Sequence, residues 1–162
     1  MYKQIIDVED IEKFRVNFVT KFIQTLPPSS ELIDIGSGLM PYKKICLDSG
    51  INYISHDFDL YYGTGSFPGL RESNYVVPSH DVICDITELE ESNFDFALMT
   101  EVLEHVPDPV RALESSLRTL KQNGIMLITV PLRSHIHQAP YFFHQNSRHT
   151  FSYIIRHALV TR

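Results

Sequence analysis

The chain has 162 residues, of which 43% are apolar and 21% are charged, and its formal net charge is −6. This length predicts one domain over residues 1–162, and the apolar fraction predicts a packed core rather than a disordered chain. The acidic balance disfavours nucleic acid or an anionic membrane as the partner, because binding phosphates needs a basic excess.

The first residues, MYKQIIDVED, are acidic and lack the apolar segment of a signal peptide. No apolar run reaches the roughly 18 residues that a membrane span needs. The two cysteines, Cys46 and Cys84, lie in apolar sequence and form no C-x-x-C pair. We therefore expect reduced thiols and a cytoplasmic location.

The first half of the chain is predicted to be helical and then extended. Apolar residues recur at helical spacing from Val8 to Leu26, with Phe14 and Phe18 on the apolar side, so residues 1–28 are expected to form an N-terminal helical segment. A strand, a short helix, a second strand and a long irregular loop are predicted to follow: ELIDIG (31–36), PYKKICLDSG (41–50), INYISHDFDL (51–60) and residues 61–80.

The second half continues the alternation of strands and helices. Its predicted elements are two strands, a helix, a fifth strand and a last short helix: DVICDI (81–86), FDFALMT (94–100), DPVRALESSLRTLKQNG (108–124), IMLITVP (125–131) and FSYIIRHAL (151–159). This order predicts an α/β fold, a Rossmann-like parallel sheet of five strands flanked by helices. We expect residues 31–131 to form the cofactor-binding core and residues 132–162 a substrate-side loop and short helix.

The sequence DIGSG joins the first strand to the short helix. Gly36 and Gly38 permit a tight turn that a ligand can approach closely, although an ordinary strand-to-helix turn would use the same residues. Asp34 places a carboxylate inside an apolar strand, which is costly without a partner. It disfavours a pyrophosphate at this turn and favours a cation such as an amino group or a sulfonium.

Acidic residues also follow the second and third predicted strands. Asp57 comes 23 residues after Asp34, where the carboxylate of a nucleotide-binding fold accepts hydrogen bonds from ribose hydroxyls, and Asp59 is the alternative on the same face. Asp85 can accept from an adenine amino group while Ile86 packs on the ring. A solvated loop acid or, for Asp85, a helix cap would explain these residues without a ligand.

Five motifs follow one another between residues 31 and 132: LIDIGSG, HDFD, VICDITEL, FDFALMTEVLEHVPDPVRALESSLRTLKQNG and IMLITVP. In order and spacing they resemble the class I S-adenosylmethionine-dependent methyltransferases. The stretch from Phe94 to Pro109 is the most specific part. Its LEH and PDP are typical of the branch that methylates small molecules and lipid precursors.

The resemblance implies S-adenosylmethionine as the cofactor and a site at the strand ends. Its parts would be Gly36, Ser37 and Gly38 at the methionine end with Asp34 nearby, Asp57 at the ribose, Asp85 and Ile86 at the adenine, and Thr100 and Glu101 on the side shared with the substrate.

The sequence departs from the family pattern in three places. Pro41 stands where a further glycine is common, and LKQNG replaces Leu-Lys-Pro-Gly-Gly, although Asn123 can still adopt the left-handed conformation. The family fold also adds an antiparallel hairpin after the fifth strand, and we expect that hairpin to be missing here. An uncovered strand edge attracts pairing, so we expect a second copy of the chain or another partner to cover it.

The motif EVLEH spaces Glu101, Glu104 and His105 so that one helical turn would bring all three to the same face. Two carboxylates and an imidazole can hold a divalent cation or act as acid and base. The resemblance permits a metal, but no fourth ligand is evident, and a purely structural turn is the remaining alternative.

The predicted loop after the fifth strand is rich in histidine and aromatic residues. A metal pair at His135 and His137 is not favoured, because the loop contains no cysteine or acid. The resemblance implies that this loop faces the substrate. His105, Glu101, His135 and His137 are therefore the candidate catalytic residues, with the base left undecided.

The sequence thus predicts methyl transfer from S-adenosylmethionine to a small-molecule or lipid-linked acceptor. The main alternative is a catalytically inactive, methyltransferase-like binding or scaffold protein. A nicotinamide-dependent dehydrogenase is disfavoured, because its pyrophosphate turn needs the third glycine that Pro41 replaces and because Asp34 would face the phosphates.

Overall fold

A computed structural model describes residues 8–58, 79–131 and 143–160. Five parallel strands form one sheet: β1 (Glu31–Ile35), β2 (Asn52–Asp57), β3 (Val82–Ile83), β4 (Phe94–Thr100) and β5 (Leu120–Thr129). The helices are α1 (Val8–Gln24), α2 (Lys43–Asp48), α3 (Pro109–Arg118) and α4 (Arg148–Val160), with short 3₁₀ turns at Ile86–Glu88 and Leu103–His105. The predicted five-stranded, Rossmann-like α/β fold is confirmed.

The strand order across the sheet is β3-β2-β1-β4-β5. The chain therefore runs outward from β1 in one direction and then returns to add β4 and β5 on the other side. The carboxyl ends of β1 and β4 border the crevice at this reversal, which is where open parallel sheets bind ligands. The DIGSG turn follows β1 and Glu101 follows β4, so both lie at this crevice.

The two faces of the sheet bury alternate residues of each strand. Leu32 and Leu98 face α1 and α2, whereas Ile33, Ala97 and Met99 lie in a second cluster with the 3₁₀ turns and α3. This alternation follows from the two-residue period of a strand, and covering both faces is typical of parallel sheets. The core is thereby fixed on both sides of the strands that carry the crevice.

Helix α1 packs on the sheet through a different stripe from the one that the sequence predicts. Val19 and Ile23 are fully buried, but Phe14 is 73% exposed and Phe18 is 52% exposed. The assignment of Phe14 and Phe18 to the core face is therefore wrong. The stripe with Phe14 and Phe18 and the stripe with Val19 and Ile23 both have helical spacing. Only the packing of the helix on the sheet decides which of the two is buried.

Two predicted boundaries also differ from the structure. The third strand pairs with β2 only at Val82 and Ile83, after which the chain turns into the 3₁₀ turn. Helix α3 ends at Arg118 rather than near Gly124, and β5 already begins at Leu120. A register irregularity opposite Phe94 accommodates the extra residues of β5.

Strand β5 is an edge of the sheet in the part of the chain that the structure describes. Helix α4 covers one face of β5, where Ile154 and Ala158 pack with Leu113 of α3 and with Met126 and Ile128. No helix among the described residues is both long enough and apolar enough to cross a membrane.

Candidate functional site

The turn after β1 is built on two glycines with left-handed backbone. Gly36 has φ +68° and Gly38 has φ +51°. A Cβ at Gly36 would lie 2.6 Å from a methyl carbon of Val102, which follows β4 across the crevice. A Cβ at Gly38 would meet no atom of the described residues within 4 Å, so this part of the structure leaves space beside Gly38. The turn thus needs glycine at the first position for packing and leaves room for a ligand at the second.

His56 of β2 forms hydrogen bonds with the turn through both its ring and its main chain. The amide of Gly36 donates to Nδ1 of His56 at 3.4 Å, the Nε2 of His56 lies 3.2 Å from the carbonyl of Cys84, and the amide of Ser37 donates to the His56 carbonyl at 2.9 Å. These contacts fit a neutral ring with its proton on Nε2. Burial lowers the pKa of His56, which favours the same neutral form.

Asp57 and His80 hold Gly38 from two sides. Oδ2 of Asp57 accepts a hydrogen bond from the Gly38 amide at 2.9 Å, and Nε2 of His80 lies 2.9 Å from the Gly38 carbonyl. Asp57 is 1% exposed. The structure therefore brings the predicted ribose-binding carboxylate into direct contact with the glycine turn, although the two residues are far apart in sequence.

Asp34 is buried beneath this turn. Its side chain is 1% exposed, Oδ2 accepts a hydrogen bond from the Tyr53 hydroxyl at 2.7 Å, and Oδ1 has no hydrogen-bond partner among the described residues. Burial raises the pKa of Asp34 to about 7, and the Tyr53 hydroxyl opposes that rise. Ser37 is also buried, and its Oγ likewise lacks a hydrogen-bond partner in the described part of the chain.

Glu101 lies at the end of β4 in a strained left-handed conformation, with φ +56°. Its Oε1 accepts a hydrogen bond from the Thr129 hydroxyl at 2.9 Å, and its Oε2 pairs with a guanidinium nitrogen of Arg15 at 2.9 Å. The first helix and the last strand are thus both tied to Glu101. Burial raises the pKa of the nearby Tyr42 hydroxyl, and the side chains of Arg15 and of Thr100, one residue before Glu101, oppose that rise.

Glu104 is completely buried, and neither of its carboxylate oxygens has a hydrogen-bond partner among the described residues. Burial raises the pKa of Glu104 to about 7. One ionisable neighbour is His105, whose Nε2 lies 3.8 Å from Oε1 of Glu104. The main-chain carbonyl of Glu104 accepts hydrogen bonds from the amides of Phe143 and His144, so this turn anchors the segment that leads into α4.

The sequence leaves a metal at Glu101, Glu104 and His105 of EVLEH possible but not favoured, and the structure does not bring these three side chains to one face. Glu101 precedes the 3₁₀ turn at Leu103–His105 and points to Arg15 and Thr129, whereas Glu104 is buried. Across residues 8–58, 79–131 and 143–160, no three His, Cys, Asp or Glu side chains lie close enough together to hold a metal ion. The left-handed Glu101 breaks the helical spacing on which the prediction rested.

The predicted adenine contacts have structural roles of their own. Oδ1 of Asp85 accepts from the amide of Thr87 at 2.8 Å and from its hydroxyl at 2.6 Å, which caps the 3₁₀ turn. Ile86 is 7% exposed and packs in the core beneath that turn. Their contact with a cofactor stays a prediction. His135 and His137 lie outside the described residues.

Sequence reasoning missed four residues that shape this site: Arg15, Tyr53, His56 and His80. HDFD contained one signal, because a histidine directly before a strand-end aspartate lies at the same sheet edge. Tyr53 lies earlier on the same strand, β2, whereas Arg15 and His80 reach the site from other parts of the chain, and the partners of all three are set by tertiary packing.

The five-stranded parallel sheet has the class I fold of the S-adenosylmethionine-dependent methyltransferases. A family model for the methyltransferase domain matches residues 9–161, and the chain belongs to that family. No curated protein matches the sequence.

Three solved structures illustrate the likeness. A SAM-dependent methyltransferase from Archaeoglobus fulgidus is 16% identical, with a TM-score of 0.63 over 92% of this chain and 67% of its own. The [4+2]-cyclase SpnF is 19% identical, with a TM-score of 0.63 over 89% and 56%. Phosphoethanolamine N-methyltransferase 2 of Haemonchus contortus, in complex with S-adenosyl-L-methionine, is 16% identical, with a TM-score of 0.61 over 90% and 36%. At these identities the likeness establishes the fold.

The residues at the turn fit S-adenosylmethionine as the cofactor. Asp34 Oδ1 and Ser37 Oγ are buried oxygens without a hydrogen-bond partner among the described residues, so each can accept from a ligand N–H group. Asp34 and Asp57 together repel a pyrophosphate and attract an ammonium or sulfonium group. The open space beside Gly38 lets such a ligand approach the main chain.

Proposed function

We propose that this chain transfers the methyl group of S-adenosylmethionine to a small-molecule or lipid-linked acceptor. The observation that carries the proposal is the pair of buried oxygens, Asp34 Oδ1 and Ser37 Oγ, at the switch point of the sheet. Neither oxygen has a hydrogen-bond partner among the described residues. A buried acceptor without a donor is costly, and a cationic ligand group would remove that cost.

The cofactor contacts follow from the strand ends. Asp57 would accept from the ribose hydroxyls after its bond to the Gly38 amide adjusts, and Gly36, Ser37 and Gly38 would line the amino-acid end. Asp85 and Ile86 would hold the adenine from the β3 side, and Thr100 would line the opposite wall. Each position rests on the resemblance together with its location at the carboxyl edge of the sheet.

The sulfonium supplies an activated methyl group, so the protein's task is to align the acceptor, exclude water and, for a hydroxyl acceptor, remove one proton. His105 is the favoured base among the described candidates. Its imidazole is 19% exposed and stands beside the crevice next to Glu104. Glu101 is held by Arg15 and Thr129, which favours a positioning task over proton transfer. His135 and His137 are the other candidates.

The acceptor class rests on two features of the sequence. The net charge of −6 disfavours a nucleic-acid substrate, and LEH followed by PDP is typical of family members that methylate small molecules and lipid precursors. Among the described residues, no metal-binding cluster is available to hold the acceptor.

The test is transfer of radioactive methyl from S-adenosylmethionine to a panel of small hydroxyl, amine and carboxyl compounds and their lipid-linked forms. Label in at least one extracted product is expected from the wild type. A His105→Gln variant should lose most of the turnover while keeping its affinity for S-adenosylhomocysteine. Cofactor binding without transfer to any acceptor would contradict the catalytic proposal.

A non-catalytic binding or scaffold protein is the second candidate. It is favoured by the edge position of β5 in the part of the chain that the structure describes. Such a protein would keep cofactor binding and use the β5 edge to pair with a second copy or another chain. Methyl transfer by a protein that sediments as a stable monomer would reject this candidate.

A further inference from the structure

The carboxyl of Asp34 is buried under the glycine turn. Its protonation state therefore depends on the charge of any ligand that binds at this turn. Its side chain is 1% exposed, and its Oδ2 accepts from the Tyr53 hydroxyl. Its Oδ1 is buried without a hydrogen-bond partner among the described residues. A buried carboxylate with one unsatisfied oxygen costs more free energy than the protonated acid, because desolvation penalises the charged form most.

The described groups that act on Asp34 supply no permanent positive charge, and the guanidinium of Arg15 acts on the neighbouring Tyr42 hydroxyl instead. Tyr53, Asp57 and Cys46 are neutral or negative, and both Tyr53 and Cys46 have pKa values raised by burial and by Asp34 itself. Tyr42, from the turn before α2, is likewise a neutral phenol. Among the described groups that act on Asp34, only His80 can carry a positive charge.

We propose that binding of the cofactor's cationic amino-acid end expels a proton from Asp34, so that cofactor affinity depends on pH through this one carboxyl. This inference rests on the proposed function. The ligand's ammonium or sulfonium would bring a permanent positive charge to Asp34, on which only the titratable His80 acts as a cation among the described groups, and the ionised carboxylate would become the favoured form.

The pH range follows from the direction of the pKa shift. The pKa of free Asp34 is about 7, so about half of the molecules hold the proton at pH 7. A cation beside the carboxylate lowers that pKa, and the bound state then releases the proton. Below pH 7 the release costs affinity, which should fall about tenfold per pH unit, whereas well above pH 7 the affinity should be constant.

The experiment is isothermal titration calorimetry at pH 7 in two buffers with small and large ionisation enthalpies, phosphate and Tris. Titration with S-adenosylhomocysteine and with S-adenosylmethionine should release about 0.5 proton per site, seen as a difference in heat between the buffers. 5′-Methylthioadenosine, which lacks the amino-acid end, should bind without this difference. Equal heats in both buffers for all three ligands would overturn the inference.

Two variants assign the proton. Asp34→Asn keeps the shape of the side chain but cannot titrate, so proton release at pH 7 should disappear. Tyr53→Phe gives an independent readout, because the Tyr53 hydroxyl lowers the pKa of Asp34 and its removal should move the midpoint of the affinity profile to higher pH. A midpoint that stays in place would contradict the assignment, since a merely structural role would change affinity at every pH alike.

The failure of this inference differs from the failure of the proposed function. Binding of the ligands without proton release leaves the methyltransferase proposal standing and rejects the role of Asp34. Absence of binding by all three ligands at millimolar concentration would reject the proposed cofactor site and the inference with it.

Discussion

At the scale of single residues, Gly36 and Gly38 show that two glycines in one turn are needed for different reasons. Gly36 faces Val102 so closely that a Cβ would overlap a methyl carbon at 2.6 Å, whereas Gly38 borders open space. Both have left-handed backbone, which costs an L-residue about 1–2 kcal/mol. Gly36 is therefore needed for close packing against Val102 across the crevice, whereas Gly38 leaves space in which a ligand can approach the main chain.

This difference predicts unequal effects of the same substitution. Gly38→Ala should lower the free energy of unfolding by about 1 kcal/mol from backbone strain, and Gly36→Ala by about 2 kcal/mol more, because overpacking adds to the strain. Chemical denaturation measures both. Adding Val102→Ala should recover part of the loss in Gly36→Ala and none of it in Gly38→Ala. Equal losses in the two single variants would contradict the packing account.

The buried Glu104 predicts a pH-dependent stability. Its pKa is about 7 in the folded state against the usual 4.5, so the folded protein binds more protons than the unfolded chain between these values. The contribution of this group to the free energy of unfolding is therefore intact below about pH 4.5 and is lost as the pH rises through 7.

Glu104→Gln removes this titration. The free energy of unfolding of the variant, minus that of the wild type, should increase from pH 5 to pH 8 by up to about 3 kcal/mol. Thermal or chemical unfolding at the two pH values measures the gain, and Glu90→Gln, at an exposed carboxyl, controls for the lost charge. The same difference from wild type at both pH values would show that Glu104 does not titrate in this range.

At the scale of elements, the ion pair of Arg15 and Glu101 fastens α1 to the end of β4. The pair measures 2.9 Å between half-buried side chains, and the Thr129 hydroxyl holds the other oxygen of Glu101. The glutamate also has a left-handed backbone, so it needs partners to keep its conformation. The first helix thus depends on a residue of the crevice for its attachment.

A double-mutant cycle with Arg15→Gln and Glu101→Gln tests this attachment. We expect a coupling free energy of about 1 kcal/mol, because partial burial and the second hydrogen bond strengthen the pair. Lys44 and Asp48 form an exposed i,i+4 pair at 2.6 Å on α2 and provide the control, with an expected coupling of about 0.3–0.5 kcal/mol. Coupling no larger than in the control would mean that α1 is held by its apolar face alone.

Elements were predictable where local pattern and packing agree. The strand FDFALMT was predicted with its observed bounds, Phe94–Thr100, because a short apolar run between turn signals has one favourable state. The end of α3 was misplaced, because Gly124 suggested a helix end while pairing with β4 extends the strand back to Leu120. That pairing is non-local and leaves no signal in the helix pattern itself. The left-handed Asn123, in contrast, was expected and has φ +68°.

At the scale of the whole molecule, the strand order brings acidic residues that are distant in sequence to one edge of the sheet. The sequence placed Asp34 and Asp57 at strand ends, and the parallel sheet brings Asp57 to the amide of Gly38. Partners such as Tyr53 and Arg15 could not be predicted, since they come from neighbouring elements whose packing the sequence pattern does not encode. That a second chain covers the β5 edge stays a prediction.

We propose above all that the carboxyl edge of this sheet binds S-adenosylmethionine through the acids at its strand ends. Calorimetric titration with S-adenosylmethionine tests it most directly, with Asp57→Ala compared to Asp95→Ala, a carboxylate near the other end of β4 that pairs with Lys121. We predict saturable 1:1 binding by the wild type and by Asp95→Ala, and affinity weaker by at least about tenfold in Asp57→Ala, because a charged hydrogen-bond acceptor is lost. No binding by the wild type at millimolar ligand, or equal losses in the two variants, would contradict the claim.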